Sequence, residues 1–268
     1  MAVRFDGSTD SLVRTANLPS ELLFSICGFA RRQGNGGTTF ESMFVLRDAG
    51  YLAWAGYELN RSTSQLIITG TTSNANVVAM PANGTWYWWG ATSAGSGAGQ
   101  LVGYYRALDS TTLSTASAQT SSFTQSTLEI GTGNVGGTTE WFNGDIYGVK
   151  LWDATLTAAE MLSESLQVFP RRLQNLHAFW WLHSADTAGY RDLGPLVRPL
   201  TAGGTPISAE NPPVRLSPAK QRIWPVPAVA AAFDAAFMAA VVPPKLAIFQ
   251  SVPNVVASGM TPPNRITP

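Results

Sequence analysis

Charged side chains are scarce in this 268-residue chain, and so are cysteine and histidine. Charged residues make up 13% of the sequence, about half of the roughly 25% that is typical of a soluble domain. The 17 basic and 17 acidic side chains cancel, so composition predicts neither a nucleic-acid partner nor an anionic membrane as partner. One cysteine and two histidines exclude a zinc finger, an iron–sulfur site and a disulfide framework.

Long apolar runs are also missing. The longest, over 228–242, contains Asp234 and is shorter than the roughly twenty residues that a transmembrane helix needs. The single cysteine, Cys27, stands in the apolar run LLFSICGF and is predicted to be a buried thiol rather than a nucleophile. Hydrophobic residues still amount to 45%, with nine Trp and twelve Phe, which is enough to form a core.

Charge and proline divide the chain into two parts. Residues 1–168 carry 8 basic and 13 acidic side chains, a net charge of −5, and residues 169–268 carry 9 basic and 4 acidic side chains, a net charge of +5. Twelve of the seventeen prolines lie at or after Pro206. We therefore predict a folded body over 1–205 and an extended Pro- and Ala-rich tail over 206–268.

The body is predicted to be all-β. Its short segments alternate in polarity or are richly apolar, and turn clusters such as GNGG and AGSGAG separate them. This pattern favours a sandwich of two antiparallel sheets. The predicted strands are 3–5, 11–15, 22–30, 42–48, 51–59, 65–71, 76–80, 85–91, 100–107, 126–132 and 145–152.

One helix has clear signals. Thr157 and Glu160 form a capping box, and Leu156 and Met161 form the accompanying hydrophobic staple, which together predict a short helix over 158–167.

The segment TWYWWG places aromatic side chains on both faces of one strand. Trp86 and Trp88 point one way, and Tyr87 and Trp89 point the other. One face is predicted to lie in the core, and the second face needs a cover from another part of the chain, a partner or a sugar.

Several segments resemble, in order, the laminin-G-like, concanavalin A-like jelly rolls. They are VRFDGSTDSLV, LLFSICGFARR, GTWYWW, STLEIGTG and WFNGDIYGVKLWDATLTAAEM. The segment 176–204, LHAFWWLHSADTAGYRDLGPLVRPLTAGG, resembles the strands that precede the first of these in the family. The resemblance implies a permuted jelly roll whose last strands come from about 176–204; the alternative is an incomplete second module.

NPPVRL at 211–216 resembles the exit of such modules in virion proteins. The resemblance implies a non-enzymatic structural protein of a tailed bacteriophage particle, in capsid decoration or associated with the tail, and assembled in the host cytoplasm. Its expected partners are other virion proteins and further copies of the chain, with a surface glycan as an alternative.

The tail is predicted to make the attachment. Apolar residues spaced for one helical face predict a short helix near 229–241, and basic and aromatic residues precede it. The expected partner-binding residues are Phe233, Phe237, Met238, Val241, Arg215, Lys220, Arg222 and Trp224.

A carbohydrate-binding host-adsorption module is the alternative function. Aromatic rings stack on sugars, and core packing is the competing interpretation for each ring. The candidate stacking residues are Tyr87, Trp89 and Trp141, with Tyr104 and Tyr105 as further candidates.

A glycan hydrolase is less favoured because it needs two carboxylates on one face. Glu140 and Asp145, five residues apart, are predicted on opposite faces. His177 and His183 flank FWWL without a nucleophile elbow. No cofactor is expected. Calcium stays open, with no assignable ligands among the turn aspartates Asp6, Asp10, Asp48, Asp109 and Asp145.

Overall fold

The computed structural model describes residues 1–19, 22–36, 38–135, 138–186 and 190–214. The eight residues predicted to bind a partner, and the helix predicted near 229–241, lie outside the described residues. No helix within the described ranges is long and apolar enough to cross a membrane.

The described residues form seventeen strands and one α-helix. In chain order the strands are β1 (Ala2–Asp6), β2 (Ser11–Arg14), β3 (Leu23–Arg32), β4 (Phe40–Arg47), β5 (Trp54–Asn60), β6 (Gln65–Gly70), β7 (Asn74–Ala79), β8 (Trp86–Ala94), β9 (Leu101–Ala107), β10 (Ser114–Ala118), β11 (Thr127–Ile130), β12 (Thr132–Val135), β13 (Thr138–Trp141), β14 (Asn143–Trp152), β15 (Leu176–Trp180), β16 (Thr201–Gly203) and β17 (Ile207–Ala209). The helix α1 (Ala158–Ser165) lies between β14 and β15.

Two large antiparallel sheets form the sandwich, as the sequence predicts. The first sheet has the order β10-β9-β8-β3-β14-β1-β17, and β15 also pairs with β14. The second has the order β16-β2-β11-β4-β5-β6-β7. A separate hairpin, β12–β13, contacts β4 of the second sheet. The fold class is confirmed, and every predicted strand segment contains a strand.

Large apolar side chains from both sheets fill the space between them. Trp89 of β8 stacks on Phe44 of β4, with ring centroids 5.4 Å apart, and Tyr57 of β5 lies 6.0 Å from the same indole. The hydroxyl of Tyr57 donates to the carbonyl of Tyr104 on β9 at 2.7 Å. The sandwich core therefore lies between β8–β9 and β4–β5.

Helix α1 covers the outer face of the first sheet. Thr157 and Glu160 form the predicted capping box, with Thr157 N–H donating to Glu160 Oε2 at 2.8 Å. The helix ends two residues before the predicted end. A Cβ placed on Gly90 would lie 2.6 Å from Met161 Cε and 2.8 Å from the ring of Trp88. The second face of TWYWWG is thus covered by this chain itself.

The C-terminal strands complete both sheets. β14 pairs with β1 over Asn143–Ile146 and with β15 over Val149–Trp152, so these two strands share its length. β16 pairs with β2, and β17 pairs with β1. The pairing continues to Ala209, past residue 205 where the sequence places the end of the body.

A buried carboxylate organises the segment between β15 and β16. Asp192 accepts backbone N–H bonds from Phe179 at 2.8 Å, from Gly194 at 2.6 Å and from Arg198 at 2.8 Å. Such bonds satisfy the charge of a buried carboxylate. Asp192 therefore holds this loop against β15.

Candidate functional site

Two of the three residues predicted to stack on a glycan are in the core. Tyr87 and Trp89 have no exposed surface, and Tyr87 donates its hydroxyl to Met43 Sδ at 3.4 Å. The prediction that these two rings bind sugar is wrong, because alternation along β8 turns them inward between the sheets. Of the further candidates, Tyr104 is buried and Tyr105 is half-buried.

Trp141 is half-buried on β13. Its neighbour Glu140 contacts Ser42 of the second sheet, so alternation directs the ring of Trp141 away from that sheet. Trp141 is therefore the one residue of the predicted trio that keeps surface available to a ligand.

Glu140 and Asp145 are held by different groups. Asp145 is fully buried and accepts bonds from Arg4 Nε at 2.7 Å, Arg31 Nε at 2.8 Å and Gln33 Nε2 at 2.7 Å. Glu140 accepts a bond from Ser42 Oγ at 2.8 Å. These three side chains hold Asp145 in the interior, so its role is structural.

The carboxyl group that does pair with Glu140 is Glu58 of β5, which the sequence did not indicate. Glu58 is 3% exposed and its Oε1 has no hydrogen-bond partner among the described residues. Burial, and then the neighbouring Glu140, raise the pKa of Glu58 well above its usual range. Burial also raises the pKa of Glu140. The two buried carboxyl groups are therefore neighbours, Glu58 on β5 and Glu140 on β13 of the hairpin.

The histidines have structural partners. His177 Nε2 lies 2.7 Å from the carbonyl oxygen of Asn17, and burial lowers the pKa of His177 to about 4. The His183 ring packs on Trp181 with centroids 4.7 Å apart. Neither ring is hydrogen-bonded to a serine hydroxyl in the described part of the chain.

Asp6 and Asp48 accept hydrogen bonds from backbone N–H groups of the turns in which they lie. Asp6 Oδ1 accepts bonds from the N–H groups of Ser8 and Thr9, both at 2.8 Å, and Asp48 accepts one from Leu52 at 2.9 Å. Within the described ranges no group of three Asp, Glu, His or Cys side chains is placed to hold a metal ion. The calcium site stays a prediction.

A polar cleft opens at one end of the sandwich, where β3 ends and β5 turns into β6. Its volume is about 420 Å³, within the range of small-molecule sites. The lining residues are Arg32, Asn35, Thr39, Arg61, Ser62, Ser64 and Met80.

Two guanidinium groups line the cleft, and one buried carboxylate, Glu41, lies behind them. Glu41, which is fully buried, has its Oε1 3.4 Å from Arg32 Nη2 and 3.9 Å from Arg61 Nε. Arg32 Nη1 donates to Asn83 Oδ1 at 3.0 Å, and Arg32 Nη2 also donates to Asn35 Oδ1. These bonds fix Arg32 and the Asn35 side chain, which both line the opening.

Backbone carbonyls fix Arg61. Its Nη1 donates to the carbonyl oxygens of Gly36 at 2.8 Å and Thr38 at 2.6 Å. The β5–β6 turn that presents Ser62 and Ser64 is tight, with Ser64 at φ 54° and Asn60 Oδ1 accepting a bond from Ser62 Oγ at 2.7 Å. The sequence carried no motif for this cleft, because its residues come from three separate segments.

No family model and no curated protein matches the chain, but solved structures do. A candidate carbohydrate-binding protein from Bacteroides ovatus is 14% identical, with TM-score 0.56, over 79% of this chain and 60% of that one. Domains LG4–5 of the mouse laminin α1 chain are 14% identical, with TM-score 0.42, over 59% and 42%.

A third match is the enzymatically active domain of tailspike protein 2 from bacteriophage CBA120. It is 10% identical, with TM-score 0.47, over 65% of this chain and 28% of that one. The chain spans 60%, 42% and 28% of the lengths of these three proteins. The likeness to the Bacteroides protein shows a common fold.

Proposed function

We propose that this chain is a non-enzymatic carbohydrate-binding jelly roll that recognises a glycan in the cleft beside Arg61. The observation that carries the proposal is the cleft itself, which joins hydroxyl, amide and guanidinium groups in about 420 Å³ at the end of a rigid sandwich. Sugar hydroxyls are bound by such fixed polar groups. The fold shared with a candidate carbohydrate-binding protein supports the same class of ligand.

The surroundings of the carboxylates support binding without hydrolysis. Glycoside hydrolysis needs a general acid and a second carboxylate on either side of the bond to be cut. Glu41, the carboxylate beside the cleft, is fully buried and paired with arginine. Glu58 and Glu140 are both buried. We therefore expect the bound glycan to be released without hydrolysis.

A glycan array probed with the full chain tests the proposal. We expect a defined set of glycans to bind, and we expect chromatography of a bound oligosaccharide after prolonged incubation to recover it intact. Substitution of Ser64→Tyr, which places a bulky ring in the cleft, should abolish binding and leave the melting temperature close to that of the wild type. Ser114→Tyr, at an exposed position of β10 outside the cleft, is the matched control. Binding that persists in Ser64→Tyr would contradict the proposal.

A virion role is a second candidate and is compatible with the first. The observation that favours it is in the sequence, where NPPVRL and the basic, Pro-rich residues 215–268 follow an acidic body. In this proposal the body faces outward on a phage particle, in the capsid or the tail, and residues 215–268 bind neighbouring subunits. Particle assembly with Phe233→Ala and Phe237→Ala tests it: the variant should fail to enter particles while its body stays folded.

A further inference from the structure

The cleft contains more positive than negative charge. Arg32 and Arg61 each form their ion pair with Glu41, and among the described residues neither arginine has a second carboxylate partner. Two guanidinium groups share one carboxylate, which leaves a net charge of +1 on the three side chains. One positive charge of the cleft is therefore left without a negative partner among these side chains.

Burial makes this imbalance significant. The exposed fractions are 10% for the Arg32 side chain, 31% for the Arg61 side chain and zero for Glu41. Arg32 Nε is buried and has no hydrogen-bond partner in the described part of the chain. A poorly hydrated cation is stabilised by an anion that approaches it directly.

We propose that the glycan bound in this cleft carries an acidic group, a carboxylate or a sulfate, which lies against Arg61. This inference rests on the proposed function, because it names the class of glycan for the same cleft. Arg61 is the more exposed of the two arginines, so it contacts the acidic group. Arg32 adds a second positive charge from a more buried position.

Arg61 is prepared for this contact before any ligand arrives. Its two hydrogen bonds to Gly36 and Thr38 both use Nη1, and they fix the orientation of the planar guanidinium group. A guanidinium held in place can donate its remaining N–H groups to a carboxylate or a sulfate and loses little entropy on binding. Thr39 and Ser64 then supply hydroxyl groups for the sugar ring.

Isothermal titration of the full chain tests the inference. The probes are an oligogalacturonate and an oligosialic acid, each compared with its neutral methyl ester, and dextran sulfate compared with dextran. We expect at least one acidic probe to bind about tenfold or more tightly than its neutral counterpart. Sodium chloride should weaken that binding.

Variants of Arg61 separate charge from structure. Arg61→Gln should reduce affinity for the acidic probe by about tenfold and leave the weak binding of the neutral probe unchanged. Arg61→Lys, which keeps the charge, should retain part of the affinity. Arg171→Gln, an exposed arginine outside the cleft, should bind as the wild type does. Unchanged near-UV circular dichroism shows that each variant is folded.

Two results would overturn the inference and leave the proposed function standing. One is equal affinity for acidic and neutral probes, unaffected by Arg61→Gln. The other is that neutral glycans of the array bind, that Ser64→Tyr abolishes this binding, and that no acidic probe binds. Absence of binding to every glycan would overturn both proposals.

Discussion

Lys150 Nζ lies 2.8 Å from Glu164 Oε2, and both side chains are buried. The ammonium group also donates to the carbonyl oxygens of Glu164 at 3.1 Å and Gln167 at 2.9 Å. Glu164 Oε1 accepts the N–H groups of Arg171 and Arg172 at 2.8 and 2.7 Å. The pair therefore connects α1 and the segment after it to the outer face of β14.

Removing one member of this pair should be strongly destabilising. Lys150→Met leaves the Glu164 carboxylate buried without its cation, and we expect a loss of about 3–5 kcal/mol in the free energy of unfolding. Urea denaturation followed by tryptophan fluorescence measures it. The double variant Lys150→Met with Glu164→Gln should recover part of the loss, since it removes both charges. A double variant as unstable as the sum of the two single variants would contradict this account.

The Glu58–Glu140 contact predicts a stability that depends on pH. Burial, followed by Glu140, raises the pKa of Glu58, so the folded state binds a proton more tightly than the unfolded chain. The contact is therefore most favourable below the pKa of a free glutamate, about 4.3, and stability is lost as the pH rises toward the raised pKa. Glu58→Gln, which keeps a hydrogen-bond donor, should be more stable than the wild type at pH 7 and similar to it at pH 4.

Glu129 provides the matched comparison on the same face of the second sheet. Its Oε1 lies 2.6 Å from Arg47 Nη2, and its Oε2 accepts the N–H of Asn134 at 2.7 Å. Glu129→Gln removes a charge that is well paired, so it should destabilise the protein at pH 7. If urea denaturation shows that both variants are destabilised at pH 7, the result would contradict the raised pKa of Glu58.

The sequence order of the strands predicts the effect of truncation. A chain ending at Pro170 lacks β15, β16 and β17, and with them the fully buried Trp180. Burial of a side chain of this size contributes roughly 2–3 kcal/mol, so this chain should aggregate or remain unfolded. A chain ending at Ser217 keeps every strand of the described residues and should melt as the full chain does. Size-exclusion chromatography and thermal melting compare them, and a soluble Pro170 chain with an unchanged melting temperature would refute the permuted arrangement.

The pattern of short apolar segments between turn clusters predicted the sheets: the apolar segment 42–48 corresponds to β4, which is buried over 41–47. It missed β10, β12 and β13, whose residues STASA, TGNV and TTEW are mostly polar or small and show no continuous apolar face. It also missed β17, which lies in the segment assigned to the tail. The same local view left Tyr87 and Trp89 as candidates for sugar stacking, because a strand with aromatic residues on both faces does not show which face lies in the core. The cleft was not predictable, since Arg32 at the end of β3 and Arg61 after β5 come together only at Glu41 of β4.

Hydrogen–deuterium exchange of the full chain, with and without a saturating oligosaccharide from the array, tests the central claim most directly. The account predicts slower exchange in the cleft segments, around Arg32–Asn35 and Arg61–Ser64, with little change at the hairpin that carries Trp141. Protection confined to that hairpin, or to the outer face of the first sheet, would contradict the assignment of the glycan to the cleft.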